Sequence, residues 1–289
     1  MKFRAHDTFA IRKGWLHKGL RHVINNPRIF VDKDVNPMDE FGIGANMVKA
    51  LRYWLQATGL TVEGTGNNRN QVLTPFGEMV WANDPYLEEE GTLFLLHYFL
   101  ASNKELATAW YFFFNHYKMM EISEDSFVAA VKTFLLQENE DIVSDRALTD
   151  DFDCIIKTYT TSNSSTPENN MECPLSELAL ITASDGQKKK FVKKTPRVIN
   201  PLILLAVIIN ENQKANGENE IKISKLESAP CNIGKIFNLD ELSIAQYLDK
   251  LQSKDLIKVN RTAGLDIISL LTPWDCNQCI QEYYRSIND

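Results

Sequence analysis

The sequence predicts a mainly α-helical protein with small β-hairpins, arranged as two winged helix-turn-helix units joined by an acidic helical region. Three observations carry that expectation: a weak internal repeat, an uneven charge distribution and one polar low-complexity segment. In the repeat, Leu55-Gln56-Ala57-Thr58-Gly59-Leu60 leads through a polar loop to Leu73-Thr74-Pro75. Later, Leu251-Gln252-Ser253-Lys254-Asp255-Leu256 leads through another to Leu271-Thr272-Pro273. Each copy reads as an amphipathic helix ending in an apolar strand, followed by a glycine- and asparagine-bearing turn and a second strand. Upstream of each lie another helical pattern and a short β-like run, Arg28-Ile29-Phe30-Val31 and Glu220-Ile221-Lys222-Ile223. Helix, strand, helix, helix and a two-strand wing is the order of a winged unit.

The elements place the boundaries. Residues 1–82 form the first winged unit and 83–159 an acidic helical region packed on it. Residues 160–174 form a polar linker, whose stretch 160–170 has no large apolar side chain, and 175–289 form the second winged unit. Ser184-Asp185-Gly186-Gln187 reads as a hairpin turn. The 289 residues are 44% hydrophobic with formal net charge −7, which excludes wholesale disorder. The longest apolar run, residues 202–209, is too short to span a bilayer, which needs roughly 20 residues. The N-terminal segment has no apolar stretch like a signal peptide, and five scattered cysteines read as reduced thiols; the expectation is a cytoplasmic protein without membrane association.

Charge is partitioned along the chain. Residues 1–75 carry 11 Lys+Arg against 6 Asp+Glu, whereas residues 76–155 carry 4 against 16. The cationic segment is therefore the part suited to a polyanion. Its helix over residues 43–58 buries Met47, Val48, Leu51, Trp54 and Leu55, leaving Asn46, Lys49, Tyr53 and Gln56 on the wet face with Arg52 on its flank. Amide, cationic and aromatic groups on one face suit base edges and phosphates. The wing tip, residues 64–70, adds Arg69, and the first helix adds Arg12, Lys13, Lys18 and Arg21. The alternative is that these are ordinary solvated faces. In the second unit, Asp240, Glu241 and Asp249 on the corresponding helix would repel phosphate, and protein–protein packing is at least as good an expectation there as DNA contact.

Candidate chemistry is sparse. Asp84-Pro85 with Glu88 reads as a capped helix start in preference to a metal site shared with His97. Asp145, Asp150, Asp151 and Asp153 read as a solvated acidic edge. Cys276-Asn277-Gln278-Cys279 lacks the second pair that a structural zinc site requires. His6-Asp7 ahead of a basic, aromatic helix offers general-base chemistry; alternatively Asp7 or Thr8 is an N-cap and His6 a packed ring.

Three stretches carry a resemblance. They are His6-Asp7-Thr8-Phe9 with residues 12–20, residues 42–48 with Arg52-Tyr53-Trp54, and Asp84-Pro85-Tyr86-Leu87-Glu88 with Gly91-Thr92 and Leu95-Leu96-His97. Together they resemble the bacterial family, labelled a domain of unknown function, that supplies the B component of Ssp DNA phosphorothioation systems. The resemblance implies a double-stranded-DNA-binding protein that nicks one strand in an anti-phage modification system. It also implies cysteine desulfurase, ATP pyrophosphatase and ATPase partners. It transfers no catalytic residues; His6, Asp7, Arg12 and Lys13 are the candidates for strand hydrolysis, with Mg or Mn as the ion expected for nicking. Two alternatives stay open: a non-enzymatic DNA-binding regulator or targeting subunit, and a protein-interaction scaffold using the acidic middle.

Overall fold

The structure is a computed structural model that describes residues 1–65, 69–119, 121–161, 172–184, 189–262 and 266–288. It is mainly helical with small antiparallel sheets, in two units, Met1–Lys193 and Lys194–Asp289. The expected wing tip at 66–68, most of the polar linker and the turn at 185–187 lie outside the described residues.

The first unit opens with α1 (Trp15–Asn25), α2 (Pro37–Phe41) and α3 (Ala45–Ala57), then the hairpin β1 (Thr61–Glu63) and β2 (Gln71–Leu73). Asn36 and Thr74 cap the helices that follow them, each with proline in the first turn, where its missing N–H costs nothing. In α4 (Pro75–Asn83), a Cβ on Gly77 would stand 2.0 Å from the Leu60 carbonyl oxygen, so only glycine lets this helix lie against the end of α3. Glu63 pairs with Gln71 in the hairpin register.

Residues 28–31 form turns instead of the expected strand. The Asn26 and Asp32 side chains hydrogen-bond at 3.0 Å and close the segment on itself, leaving one backbone bond, Gln71 N–H to Pro27 O at 2.8 Å, to the hairpin. The first sheet therefore has two strands. α1 begins at Trp15, so Arg12 and Lys13 precede it, and Gly14, not Asp7 or Thr8, occupies its N-cap position.

A second layer contains α5 (Glu90–Ala101), α6 (Thr108–Asn115), α7 (Glu124–Gln137) and α8 (Asp145–Tyr159). α5 is buried on nearly all sides, as its apolar run requires. It starts at Glu90 and not at Pro85; the buried Asp84 carboxylate instead accepts the N–H groups of Glu88 and Glu89 in the turn before it. A 3₁₀ turn (Pro174–Leu178) and the hairpin β3 (Ile181–Ala183) and β4 (Phe191–Lys193) also belong to this unit. This corrects the expected boundary near 175. Leu175, Leu178 and Leu180 are buried, Ile122 and Phe191 exchange backbone hydrogen bonds, and Lys193 Nζ donates to the Phe113 and Tyr117 carbonyls.

The second unit contains α9 (Pro201–Ala215), β5 (Glu220–Lys222), α10 (Ile223–Ser228), α11 (Ile233–Ile236), α12 (Glu241–Gln252), β6 (Ile257–Asn260), β7 (Ile267–Leu270) and α13 (Cys276–Asn288). Its antiparallel sheet has the order β5-β7-β6. The apolar run 202–209 is the fully buried interior of α9, which packs on α13.

The N-terminal strap ties the layers of the first unit together. His6 is completely buried, and its Nε2 lies 2.7 Å from Asp151 Oδ1 on α8. The Thr8 N–H donates to His6 Nδ1, so Nε2 is the protonated nitrogen and donates to the carboxylate. The ring stacks on Trp54 of α3 and meets Trp110 of α6 edge-on. Arg4 N–H donates to both Asp151 oxygens, and Trp54 Nε1 donates to the Phe9 carbonyl. Burial pushes the Asp151 carboxyl above its ordinary range, although the His6 hydrogen bond pulls the other way. The acidic-edge expectation for Asp151 is corrected accordingly.

Replacing His6 with Ala leaves this buried carboxyl without its side-chain partner and is expected to cost about 3–5 kcal/mol. A carboxyl raised in the folded state contributes stability below its unfolded value and loses it as pH rises through its folded value. The deficit of His6→Ala should therefore grow with pH across that window, and adding Asp151→Asn should remove that pH dependence. Urea unfolding of the parent and both variants across pH 4–8 measures this; a pH-independent deficit would contradict it.

Candidate nucleic-acid interface

α3 presents two different faces because α1 covers one of them. Val48, Leu51, Trp54 and Leu55 are buried, and the absence of a Cβ on Gly19 lets the Leu51 and Leu55 side chains press against α1. On the other side, Asn46 and Lys49 are exposed, with Lys49 Nζ 3.4 Å from Asn46 Oδ1. Further along, Arg52 and Gln56 are half-buried and turn toward the hairpin.

There they meet Glu63. Its carboxylate accepts Arg52 Nε at 2.9 Å and Arg52 Nη2 at 2.5 Å, in a forked geometry, and also Gln56 Nε2 at 3.1 Å and Arg69 Nε at 3.2 Å. Burial pulls the Glu63 carboxyl upward, but the hydrogen bonds and charges of Arg52 and Arg69 outweigh it and hold the group below its ordinary value. The Arg52 guanidinium also lies 6.0 Å from the Phe30 ring centroid.

An open groove of about 590 Å³ runs past this cluster, lined by Lys2, Lys49, Arg52, Gln56, Glu63 and Arg69 among others. Four cations face one carboxylate in it. Guanidinium forks that hold a carboxylate also match phosphate oxygens. The structure thus gathers Lys49, Arg52, Gln56 and Arg69 on one groove, with Asn46 beside Lys49. Sequence reading missed Glu63 and Lys2. Neither has a local signal: Glu63 is across the hairpin from α3, and Lys2 is brought back by the N-terminal strap.

Tyr53 also lines this groove but is largely buried, its ring centroid 6.3 Å from that of His6, and burial pushes its hydroxyl well above the ordinary range. The other expected residues lie elsewhere. Lys18 Nζ donates to the Phe41 carbonyl and closes the end of α2, while Arg21 is exposed on α1. Arg12 lies over the Trp15 ring at 5.3 Å, and Lys13 N–H donates to the Glu172 carbonyl. Asp7 is a turn residue with φ +48°. His6 is sealed under two tryptophans, which corrects the expectation of a ring within reach of phosphate and leaves it as the packed ring of the alternative reading.

His97 is likewise buried, its Nδ1 2.7 Å from the Tyr159 hydroxyl, so it does not join Asp84 and Glu88 at a surface. Asp145 pairs with Lys132, and Asp150 with Arg4. Among the described residues, no three His, Cys, Asp or Glu side chains gather as a metal ion would require. No described helix is long and apolar enough to cross a membrane.

The family model described as "Protein of unknown function (DUF4007)" matches residues 3–284. The chain belongs to that family. Two solved structures are similar over its whole length, both at 26% identity and covering 89% of the other chain. One is described as "Magnesium ion-bound SspB crystal structure", with TM-score 0.88, and the other as "SspB crystal structure", with TM-score 0.85. None of the curated proteins matches the chain. The expected resemblance is therefore correct at the level of family, and the SspB-like fold accounts for the full chain, α13 included.

The C-x-x-C pair at the start of α13 is chemically quiet. Burial pushes both Cys276 and Cys279 thiols up to about 12. At pH 8 that leaves a thiolate fraction of roughly 10⁻⁴, and the thiolate is the reactive form. Iodoacetamide should label both at least about 100-fold more slowly in the folded protein than in urea. Mass spectrometry of labelled peptides tests this, and equal rates in the two states would overturn it.

Proposed function

We propose that the protein binds duplex DNA through the α3–hairpin groove and serves as the strand-nicking component of a DNA phosphorothioation and anti-phage system. One observation carries the DNA part: Lys2, Lys49, Arg52 and Arg69, from three separated stretches of chain, line a single groove. Phosphates would meet the exposed Lys49 and Arg69, while Gln56 and Asn46 supply amides able to read bases. The cysteine desulfurase, ATP pyrophosphatase and ATPase of such a system are the corresponding protein partners.

The second unit supports a winged-helix reading: α9, β5, α10, α12, β6 and β7 follow the helix-strand-helix-helix-two-strand order with a three-stranded β5-β7-β6 sheet, the one-turn α11 being inserted between α10 and α12 and α13 added after the wing. The first unit is a reduced version of the same plan, with turns in place of the third strand. Magnesium enters this reading through the solved SspB relative and belongs in the assay as a variable.

The test combines binding and cutting. Lys49→Glu with Arg69→Glu should weaken duplex binding at least about tenfold and make the log–log salt slope shallower by roughly 0.9 for each phosphate no longer neutralised. Arg52 is left intact there because its reversal would set two carboxylates face to face. Unchanged affinity and slope would remove the groove from the proposal. Supercoiled plasmid incubated with the parent protein, with and without Mg²⁺ or Mn²⁺, should yield open circles. Plasmid that is shifted on a gel but never nicked would retain the DNA surface and reject nicking, leaving a targeting subunit.

A further inference from the structure

The second unit has its own cleft, lined by α10, the first turn of α12 and residues at the ends of β6 and β7, and acidic groups outnumber cationic ones in it. It encloses about 950 Å³. Glu227, Asp240, Glu241 and Asp266, all exposed, line it against two cations, Lys222 and Arg261. Arg261 is itself 3.9 Å from the Asp249 carboxylate, which weakens its pull on an anion. Ile223, Leu242, Ala245 and Ile267 add apolar surface among these charges, and Leu242 is 68% exposed there although it sits in the first turn of α12. A duplex brought to this cleft would meet like charge on α10, on α12 and beside β7.

The carboxylates are spread along the cleft instead of converging. Asp240 is committed to capping α12, its Oδ1 accepting the Ser243 N–H at 2.8 Å. Among the described residues no acidic group is compact enough for a metal ion. Dispersed negative charge over an apolar floor fits an extended chain carrying several cations and an apolar side chain. A bare ion or a polyanion fits it poorly. We propose that this cleft docks a lysine- or arginine-bearing segment of a partner protein, with an apolar residue of that segment seated on Leu242. The inference does not rest on DNA binding by the first unit, because every residue it uses belongs to the second.

Titration calorimetry on the full chain tests it with two 12-residue peptides of one pattern, lysine/leucine and glutamate/leucine. The lysine/leucine peptide should bind at least tenfold more tightly. Glu227→Lys with Glu241→Lys, both exposed positions, should weaken that binding at least tenfold, and Leu242→Ser about threefold or more. Far-ultraviolet circular dichroism of both variants should match the parent, so that a loss of peptide binding reports the cleft and not unfolding. Equal binding of the two peptides, or of parent and variants, overturns the proposal. Self-association of the parent that disappears in Leu242→Ser, seen by sedimentation, would overturn it in favour of a second copy of the chain.

Discussion

Residues 1–13 contain no helix or strand, yet the first unit depends on them. Through His6 they join α8, which carries Asp151, to α3, which carries Trp54, and to α6, which carries Trp110. The strap is held under backbone strain, with Arg4, Asp7 and Thr8 all at positive φ. A β-branched residue such as Thr8 is a genuine outlier there, and each such residue costs about 1–2 kcal/mol. The hydrogen bonds of Asp151, two from Arg4 N–H and one from His6, are what offset that cost. The same strap places Lys2 at the rim of the cationic groove. The sealed pair therefore fixes both the packing of the acidic layer on α3 and one wall of the cationic groove.

Opposite charges on two similar helix–hairpin grooves follow from a few side chains. In the first unit, α3 and its hairpin supply Lys49, Arg52 and Arg69 around a single carboxylate. In the second, α12 begins with Asp240 and Glu241, which serve the helix locally as cap and dipole complement. Those local choices also set the sign of the whole cleft. Two helix–hairpin arrangements in one chain thus carry surfaces of opposite sign through a few side chains, although one sheet has two strands and the other three.

Periodicity made the framework legible. The apolar stripe of α3 placed that helix within two residues of its observed ends, and both hairpins of the repeat occur where turn residues interrupt the strands. What periodicity could not show was long-range cover. Tyr53 falls on the wet stripe by spacing, yet the N-terminal strap folds over it and its ring lies near His6. Likewise residues 28–31 have strand-like composition, but Asn26 and Asp32 close them into turns before any partner strand can pair. The polar stretch after α8 looked like a domain boundary, whereas Leu175, Leu178 and Leu180 return the chain to the first unit's core. Within the groove, Arg52, Gln56 and Arg69 were legible as residue types. Their common partner Glu63 was not, since it becomes a neighbour only once the hairpin has formed.

Glu63 explains why the groove is ordered before any ligand arrives. Arg52 and Arg69 belong to different elements and, without an anion between them, would repel each other into solvent. The carboxylate holds both and orients Gln56, while opposing any phosphate that comes near. At a few ångströms in a solvent-exposed groove that opposition is on the order of 1 kcal/mol, comparable to a single surface ion pair. Lys49 and the outer edge of Arg69 escape it, being exposed and on the solvent side of the cluster. Attraction is thereby concentrated at the rim, where position on a regular backbone matters, and weakened at the centre, where any loose anion would otherwise settle. A carboxylate inside a cationic groove thus trades raw affinity for a fixed arrangement of donors.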